Sequence, residues 1–420
     1  MNQIIYKTLC LAACAVFLSA CDGWINDAET PNDSLSWEQI NRPGMIASVR
    51  SNKMVDGALV AYIKTLSGEA ASAMFLATGA MTDEVAASIQ PNILLYKSLR
   101  NDNITSSGGQ ADGIWTTLQN LRARSEELLV IEQNVANADY ENLEAIRAYG
   151  RYIGNLYSGY AYQLLAESFS ATSSEPGGVW IQGKLLSQEE MYDKALNYYA
   201  TAIKEAANEE LKEVSESFSS GLAIRQAEAL VVKLYMHLQK YTEAARHINL
   251  ALDAGESFSV QYTADGSANG LYSVLGNTAF DAQVDTIIPT ELRNNAEKQA
   301  IQTQINSYKN LYLSSLTKYS SLILSDYNEM LLLKAELVLR SEMTGDALAL
   351  VNTVISSYDK SSVETSNPDM NLLTHFRRVY LFLRGERIAD YRRNMLPPAR
   401  QNIWDERKNK WMPFPEVETE

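Results

Sequence analysis

The residue types that commonly carry enzyme chemistry are few in this chain and stand in no familiar catalytic spacing. There are three histidines in 420 residues, namely His237, His247 and His375. None belongs to a His-Glu-x-x-His zinc motif, and the sequence has no Gly-x-Ser-x-Gly elbow, no Gly-x-Gly-x-x-Gly loop and no phosphate loop. The 51 acidic residues could in principle supply a carboxylate pair for glycoside hydrolysis, but most are expected on solvated helix faces. We therefore expect no enzyme activity, no cofactor and no metal site.

All three cysteines of the chain lie near its N-terminus, two of them inside the apolar run that follows Lys7. A positive residue, a short apolar run and small residues before a break predict an export signal over residues 1–20. The run closes on Leu-Ser-Ala-Cys, which fits the bacterial lipobox and predicts a lipid anchor, with palmitate among its acyl chains, on Cys21. The alternative is an ordinary signal peptide that has a cysteine at this place by chance. The remaining body would have no thiol, which suits an oxidising compartment.

The formal net charge of −15 argues against nucleic acid as a partner, because phosphate binding needs a basic face. Beyond the signal, no run of the sequence is suited to span a bilayer. The longest small-residue run, 57–80, contains Lys64 and Glu69 and is interpreted as a pair of soluble helices. Composition therefore indicates an acidic, exported protein whose core is held by packing alone.

Helix-forming residues fill most of the chain, and a degenerate repeat lies within them. The segments YDKALNYYATAIKE and YTEAARHINLALDA are similar, and three positions coincide: Tyr192 with Tyr241, Ala195 with Ala244, and Ala202 with Ala251. Small residues at this spacing allow a preceding helix to pack closely, as in the second half of a tetratricopeptide unit. A weaker third copy has Ala347 and Val354 at the equivalent places.

The copies are unevenly spaced, so they indicate repeat pairs with large insertions and not a regular solenoid. We predict an all-α fold of irregular tetratricopeptide-like helix pairs with long loop insertions, in a single domain over residues 21–420. Repeat-like helices are expected at about 110–254 and 326–394, with a loop-rich insertion at about 255–325. A further Ser-, Gly- and Pro-rich segment at 170–184 is interpreted as an ordered loop.

Several segments, taken in order, resemble the SusD/RagB family of outer-membrane nutrient-binding lipoproteins. They are the lipobox with its acidic start, IWTTLQNLRARSEELL with Trp115 as its marker, AIRAYGRYIGNLYSGYAYQLLAESF, AEALVVKLYMHLQKYTEAARHINLALDAG, SDYNEMLLLKAELVL, FRRVYLFLRGERIADYRR and WMPFPEVE. The resemblance covers nearly the whole mature chain. Two departures stand against it: the chain is shorter than most relatives, among its loops, and the terminal helix lacks the usual Glu-Leu-x-x-Glu-Gly run.

The resemblance implies a lipid-anchored protein of the outer membrane, at the cell surface, that captures a nutrient and delivers it to a SusC-like TonB-dependent barrel. An oligosaccharide is the expected nutrient, and a peptide or another small nutrient is the open alternative. Two other classes of protein stay open at this point. One is a tetratricopeptide scaffold of an envelope assembly machine, and the other is a carboxylate-dependent glycan hydrolase.

Aromatic residues in loops are the candidate ligand-binding residues, because sugars present flat C–H faces that stack on exposed rings. These candidates are Trp180, Tyr262, Tyr272, Phe280 and Trp404. For each of them the alternative is that the ring anchors its loop to the helices.

Two further groups of residues are expected to be structural. Three tyrosines at helical spacing are expected in the core: Tyr157, Tyr160 and Tyr162. Five arginines near the C-terminus are expected to pair with acids and to tie the last helices to the repeats, with a partner surface as the alternative: Arg377, Arg378, Arg387, Arg392 and Arg393.

Overall fold

The computed structural model of the chain describes most residues after residue 58. The described ranges are 59–82, 84, 86–87, 94–106, 111–134, 143–213, 218–263, 268–275, 280–281, 315–358, 369–393, 395 and 398–415. The predicted signal peptide and Cys21 lie outside them. Within these ranges, no helix is both long enough and apolar enough to cross a membrane.

Helices dominate the described chain. The α-helices are α1 (Leu59–Met81), α2 (Leu94–Arg100), α3 (Asp112–Asn134), α4 (Leu143–Ser168), α5 (Gln188–Ala206), α6 (Ser220–His237), α7 (Tyr241–His247), α8 (Gly270–Leu275), α9 (Tyr327–Leu339), α10 (Ala347–Tyr358), α11 (Met370–Tyr380), α12 (Arg387–Arg392) and α13 (Pro398–Asp405). Short 3-10 helices cover Glu209–Glu213 and Ile248–Leu250.

The described strands are short and form two-stranded antiparallel pairs. They are β1 (Ala86–Ala87), β2 (Val179–Ile181), β3 (Lys184–Leu186), β4 (Ser257–Val260), β5 (Phe280–Asp281) and β6 (Leu322–Asp326). Strand β1 pairs with β5, β2 with β3, and β4 with β6. The predicted all-α class of irregular helix pairs is confirmed, with these strands as clips between helices.

Helix α1 is one continuous, largely buried helix, so the prediction of a helix pair over 57–80 is wrong. The helix continues through the Ser67-Gly68 step, where Ser67 Oγ donates a hydrogen bond to the Lys64 carbonyl at 2.8 Å. The ring of Tyr262 packs over Gly68 so closely that a Cβ there would collide with the Tyr262 hydroxyl. Burial against the rest of the core therefore stabilises α1 as a helix, although the helix propensity of its sequence is weak around Ser67 and Gly68.

Helix α4 packs between α3 and α5, and glycines let both neighbours approach. A Cβ on Gly154 would lie 2.6 Å from a Leu129 methyl group, and one on Gly159 would lie 2.7 Å from the Tyr199 ring. On α5 the predicted small residues Ala195 and Ala202 are fully buried. The three tyrosines expected in the core, at 157, 160 and 162, are buried as well. Small residues at these positions therefore set the close spacing of the first helix pairs.

Helix α5 begins where its sequence provides a cap. Ser187 Oγ accepts a hydrogen bond from the Glu190 backbone N–H, and the Glu190 carboxylate accepts one from the Ser187 N–H. This capping box satisfies two backbone donors at the helix start. Because Ser187 directly follows β3, the cap also fixes the point at which the β2–β3 hairpin meets the helix layer.

The second and third repeat copies pack on each other. Ala244 and Ala251 are buried in a cluster with Leu333 and Leu337 of α9. The α-helix that begins at Tyr241 is shorter than its sequence suggests, since it ends at His247 and a 3-10 turn follows. Ala347 and Val354 of the third copy are buried in α10, in a cluster with Leu332 of α9. The repeat interpretation thus places its small residues at helix contacts in all three copies.

The C-terminal segment returns to the first helices. Phe414 meets Trp115 with ring centroids 5.1 Å apart, and Trp115 meets Phe169 at 5.0 Å, both edge to face. Arg392 lies 4.1 Å from the centroid of the Trp411 ring and donates hydrogen bonds to the Glu167 and Lys410 carbonyls. These contacts fix the base of helix α3, on which the site described next is built.

Candidate functional site

A cleft of about 330 Å³ lies between helix α3 and the β2–β3 hairpin. We call it the Trp180 cleft. Its lining residues are Trp115, Thr116, Gln119, Asn120, Arg122, Trp180, Gln182 and Gly183. Volumes of this size are at the lower end of the range for small-molecule sites.

The hairpin owes its shape to the turn Gln182-Gly183. Gln182 has φ 51° and Gly183 has φ 75°, the two positive angles that a two-residue hairpin turn of type I′ requires. Trp180 pairs with Leu185 across the strands, and its indole is half-buried against the main core. The segment that the sequence suggested as an ordered loop is therefore in part a hairpin that presents one tryptophan.

Helix α3 supplies the opposite wall. Thr116, Gln119 and Asn120 follow the three- and four-residue spacing that puts side chains on one helix face. Gln119 Nε2 donates a hydrogen bond to the Trp180 carbonyl at 3.1 Å, and Gln119 Oε1 accepts one from Arg122 Nε at 2.8 Å. A single amide side chain thereby joins the hairpin to the guanidinium group at the end of the cleft.

Behind the cleft, Arg122 is held by an acid. Its Nη1 donates to Glu126 Oε2 at 2.5 Å. Glu126 Oε1 also accepts hydrogen bonds from the hydroxyls of Tyr162 at 2.8 Å and Tyr198 at 3.3 Å. Burial, and then the charge of Glu126, raise the pKa of Tyr198 to about 12 and that of Tyr162 further, so both hydroxyls keep their protons at neutral pH.

The chemistry of the Trp180 cleft is that of a binding site for a polyhydroxylated molecule. One indole offers an apolar face, and primary amides, a hydroxyl and a guanidinium offer donors and acceptors around it. Trp115 forms a rigid floor, since its ring is locked between Phe169 and Phe414. Rigid aromatic surface with a few placed polar groups is the usual composition of a small-ligand site.

The structure places the other predicted ligand residues in different surroundings. Tyr262 is buried against α1, as a loop anchor would be. Trp404 is 3% exposed and its ring centroid lies 5.0 Å from that of Tyr391. Tyr272 is 37% exposed on α8, and Phe280 lies in β5 opposite Ala87, with its side chain outside the described part of the structure. Of the five candidates, Trp180 alone lines the described cleft.

Two of the C-terminal arginines and one histidine belong to a group of buried ion pairs. We call this group the Lys233 cluster, and its members are Lys233, His237, Arg377 and Arg393 with Glu167, Glu329, Glu336, Glu386 and Asp390. Lys233 Nζ lies 3.2 Å from a Glu329 oxygen and 2.9 Å from a Glu386 oxygen. Against the effect of burial, Glu167 and Glu386 raise the pKa of His237 to about 9. The pairing expected for the arginines is therefore seen for Arg377, which joins α11 to Asp390 of α12, and for Arg393, which joins the end of α12 to Glu336 of α9.

A second histidine, His247, takes part in a separate ion pair. His247 Nδ1 lies 2.6 Å from a Glu228 oxygen, and His375 lies in α11 with its side chain outside the described part of the structure. Among the residues that the structure describes, no group of three or more His, Cys, Asp or Glu is arranged to hold a metal ion.

Comparison with solved structures decides the fold. A SusD superfamily protein from Bacteroides vulgatus ATCC 8482 superposes with a TM-score of 0.62 at 15% identity, covering 87% of this chain and 96% of that one. The surface glycan-binding protein A of Bacteroides thetaiotaomicron, in complex with laminarihexaose, gives 0.55 at 14% identity, with 82% and 91% covered. A laminarin-binding SusD-like protein gives 0.59 at 14%, with 88% and 97% covered.

The chain has the SusD-like fold. This confirms the fold implied by the SusD/RagB resemblance of its sequence segments. The SusD-like arrangement here puts Trp115, the marker of the tryptophan-led helix, beneath the Trp180 cleft. No family model and no curated protein matches the chain by sequence, so the likeness lies in the fold and in those short segments.

Sequence reasoning missed the polar wall of the cleft. Gln119, Asn120 and Arg122 lie in the segment IWTTLQNLRARSEELL, of which only Trp115 drew attention. Their spacing on one helix face is visible in the sequence. The hairpin that covers this face lies about sixty residues later, since Gln119 and Trp180 are 61 positions apart, and no local pattern links the two.

Proposed function

We propose that this protein captures an oligosaccharide in the Trp180 cleft and delivers it to a SusC-like TonB-dependent barrel of the outer membrane. The observation that carries the proposal is the composition of the cleft: one half-buried indole between amide, hydroxyl and guanidinium groups, on a SusD-like fold. Solved proteins of similar fold bind laminarihexaose, laminarin and a xylogluco-oligosaccharide. Their ligands support a glycan here.

Binding without turnover fits the described lining. Glycoside hydrolysis needs two carboxyl groups that flank the scissile bond. The described lining of the Trp180 cleft offers amides, a hydroxyl, an indole and a guanidinium, and we propose that the sugar leaves unchanged. The role of an envelope scaffold gains no specific support from the described residues, whereas the cleft favours small-ligand capture.

Calorimetry tests the capture step. The full chain in detergent is titrated with β-1,3-glucan, β-1,4-glucan, xyloglucan and mannan oligosaccharides, beside Trp180→Ala and Leu185→Ala. Loss of the indole platform should weaken binding about tenfold, since aromatic contacts are worth ~0.5–1.5 kcal/mol beyond the area they bury. Leu185 pairs with Trp180 across the hairpin and is exposed without lining the cleft, so its variant should bind normally. Equal binding by both variants would place the site elsewhere.

We propose further that Cys21 carries the lipid that holds the protein at the outer membrane, facing the outside. A cleaved, thiol-free body anchored by acyl chains would stay beside a barrel without a membrane-spanning helix of its own. In the expected result, Cys21→Ala no longer incorporates labelled fatty acid and leaves the outer-membrane fraction. Retention of label and of membrane partition by the variant would exclude Cys21 as the anchor. Surface proteolysis of intact cells reports which side the protein faces.

A further inference from the structure

The Trp180 cleft contains one ionisable side chain among its described lining residues, Arg122. This arginine is buried, and its donors are already engaged at two points. Nε donates to Gln119 Oε1 at 2.8 Å, and Nη1 donates to Glu126 Oε2 at 2.5 Å. A ligand in the cleft therefore meets a guanidinium whose charge is compensated from behind.

Glu126 is itself fixed in place by three donors. Beside Arg122, the hydroxyls of Tyr162 and Tyr198 donate to its other oxygen at 2.8 Å and 3.3 Å. Tyr162 extends from α4 and Tyr198 from α5, so three helices converge on this carboxylate. These donors fix the position of the carboxylate beside the arginine.

We propose that the Arg122–Glu126 pair makes the Trp180 cleft selective for uncharged sugars, with Glu126 as the residue that sets this selectivity. The inference rests on the proposed function, since it assigns a charge class to the ligand of the same cleft. A uronate would have to compete with Glu126 for the guanidinium, or lie near both charges at once. A hydroxyl can accept from the remaining guanidinium donors at no electrostatic cost. The net charge of −15 adds a general repulsion of anions.

The test uses ligand pairs that differ in charge and otherwise by a single methyl group. Each neutral oligosaccharide of the glucan, xyloglucan and mannan panel is oxidised at C6 to the uronate, and part of that product is converted to its methyl ester. The ester adds one methyl group to the uronate and removes its charge. For the wild-type protein, the free uronate should bind at least about tenfold more weakly than the ester.

A pair of variants then separates the local charge from the overall charge. Glu126→Gln keeps the size of the side chain and an oxygen for the tyrosine hydroxyls, and it leaves Arg122 without an ionised partner. Glu127→Gln is the matched control: Glu127 is the next residue of the same helix, pairs with Arg124 at 2.6 Å, and is 23% exposed at its side chain, as Glu126 is. Both changes raise the net charge by the same amount.

Glu126→Gln should raise the ratio of uronate to ester affinity by about tenfold, and Glu127→Gln should leave that ratio near the wild-type value. Equal wild-type affinities for uronate and ester would overturn the inference, and this comparison needs no variant to fold. So would an unchanged ratio in a folded Glu126→Gln protein, or an equal rise in both variants. Failure of every neutral sugar, ester and uronate to bind would instead overturn the proposed function.

Discussion

The Trp180 cleft and the Lys233 cluster both contain an arginine or lysine paired with glutamate. They differ in their access to solvent. The Trp180 cleft opens to solvent along Thr116, Asn120 and Gln182, which are exposed. The Lys233 cluster is closed, since Lys233, Glu329 and Glu386 are all buried. Similar side chains therefore serve a surface in one place and the core in the other.

The difference shows in where the hydrogen bonds go. In the cleft, Gln119 bonds to the Trp180 carbonyl and Arg122 bonds to Gln119 and Glu126, beside the exposed Thr116 and Asn120. In the Lys233 cluster, the Lys233 ammonium donates a hydrogen bond to the Leu324 carbonyl at 2.8 Å and forms ion pairs with Glu329 and Glu386. Buried charges are tolerated when they are paired in this way, and removal of one partner is costly. The comparison predicts that the cluster governs stability and the cleft governs binding.

The largest expected effect is on the buried side. Lys233→Met keeps an unbranched side chain that is one atom shorter, and it leaves Glu329 and Glu386 without the ammonium. The free energy of unfolding should fall by about 3–5 kcal/mol, as measured by chemical denaturation. Lys240→Met is the control at an exposed lysine that makes no side-chain cap, and it should stay within about 0.5 kcal/mol. A small change in both would mean that the cluster does not stabilise the fold.

The next effect concerns the pH dependence of stability. Burial raises the pKa of Glu84 to about 7 from 4.5, although the nearby Arg387 and Arg378 oppose the shift. Because this carboxyl binds its proton more tightly in the folded state than in the unfolded state, the free energy of unfolding falls as the pH rises from 4.5 through 7. The free energy of unfolding of Glu84→Gln, relative to that of wild type, should therefore rise by up to about 3 kcal/mol between pH 4.5 and 8. Denaturation curves at several pH values measure this gain.

Other groups act in the same window and make the variant comparison necessary. Burial raises the pKa of Glu329 to about 7, with Lys233 opposing, and the raised pKa of His237 gives stability that is lost as pH climbs through about 9. The pH dependence of wild-type stability therefore has contributions from Glu84, Glu329 and His237. Parallel curves for wild type and Glu84→Gln, at every pH, would contradict the assignment to Glu84.

The smallest effect on stability is expected in the cleft. Asn120→Ala removes an exposed amide, so the free energy of unfolding should change by less than about 0.5 kcal/mol. Sugar affinity should nevertheless fall by about 0.5–1.5 kcal/mol, the net worth of one hydrogen bond. Asn197→Ala, at an exposed position of α5, is the matched control and should alter neither quantity. Destabilisation by Asn120→Ala without a loss of affinity would reverse the roles given to the two regions.

Local pattern was sufficient for the features that depend on neighbours in sequence. The coincidence of Ala195 with Ala244 predicted small residues at helix contacts, and both are fully buried. Small side chains at helical spacing indicate close packing between helices directly, without knowledge of the tertiary structure. The same holds for the core tyrosines, whose spacing on α4 indicated the interior.

The candidate site required contacts between distant segments. Trp180 was identifiable as a loop aromatic, yet Tyr262 and Trp404 met the same description and are buried. Which ring stays accessible depends on whether α1 or Tyr391 covers it, and that is a property of tertiary packing. The turn Gln182-Gly183, between Ile181 and Lys184, was a local signal of the hairpin, and it does not reveal that α3 is the facing wall.

Fluorine NMR of the tryptophans tests the central claim most directly. The chain has six tryptophans, and incorporation of 5-fluorotryptophan with single Trp→Phe variants assigns their resonances. On titration with the neutral oligosaccharide panel, the Trp180 resonance should shift and saturate with the calorimetric affinity, while that of the buried Trp404 should stay in place. If every panel sugar leaves the Trp180 resonance unchanged, or shifts the Trp404 resonance and not that of Trp180, the cleft between α3 and the hairpin is not the sugar site.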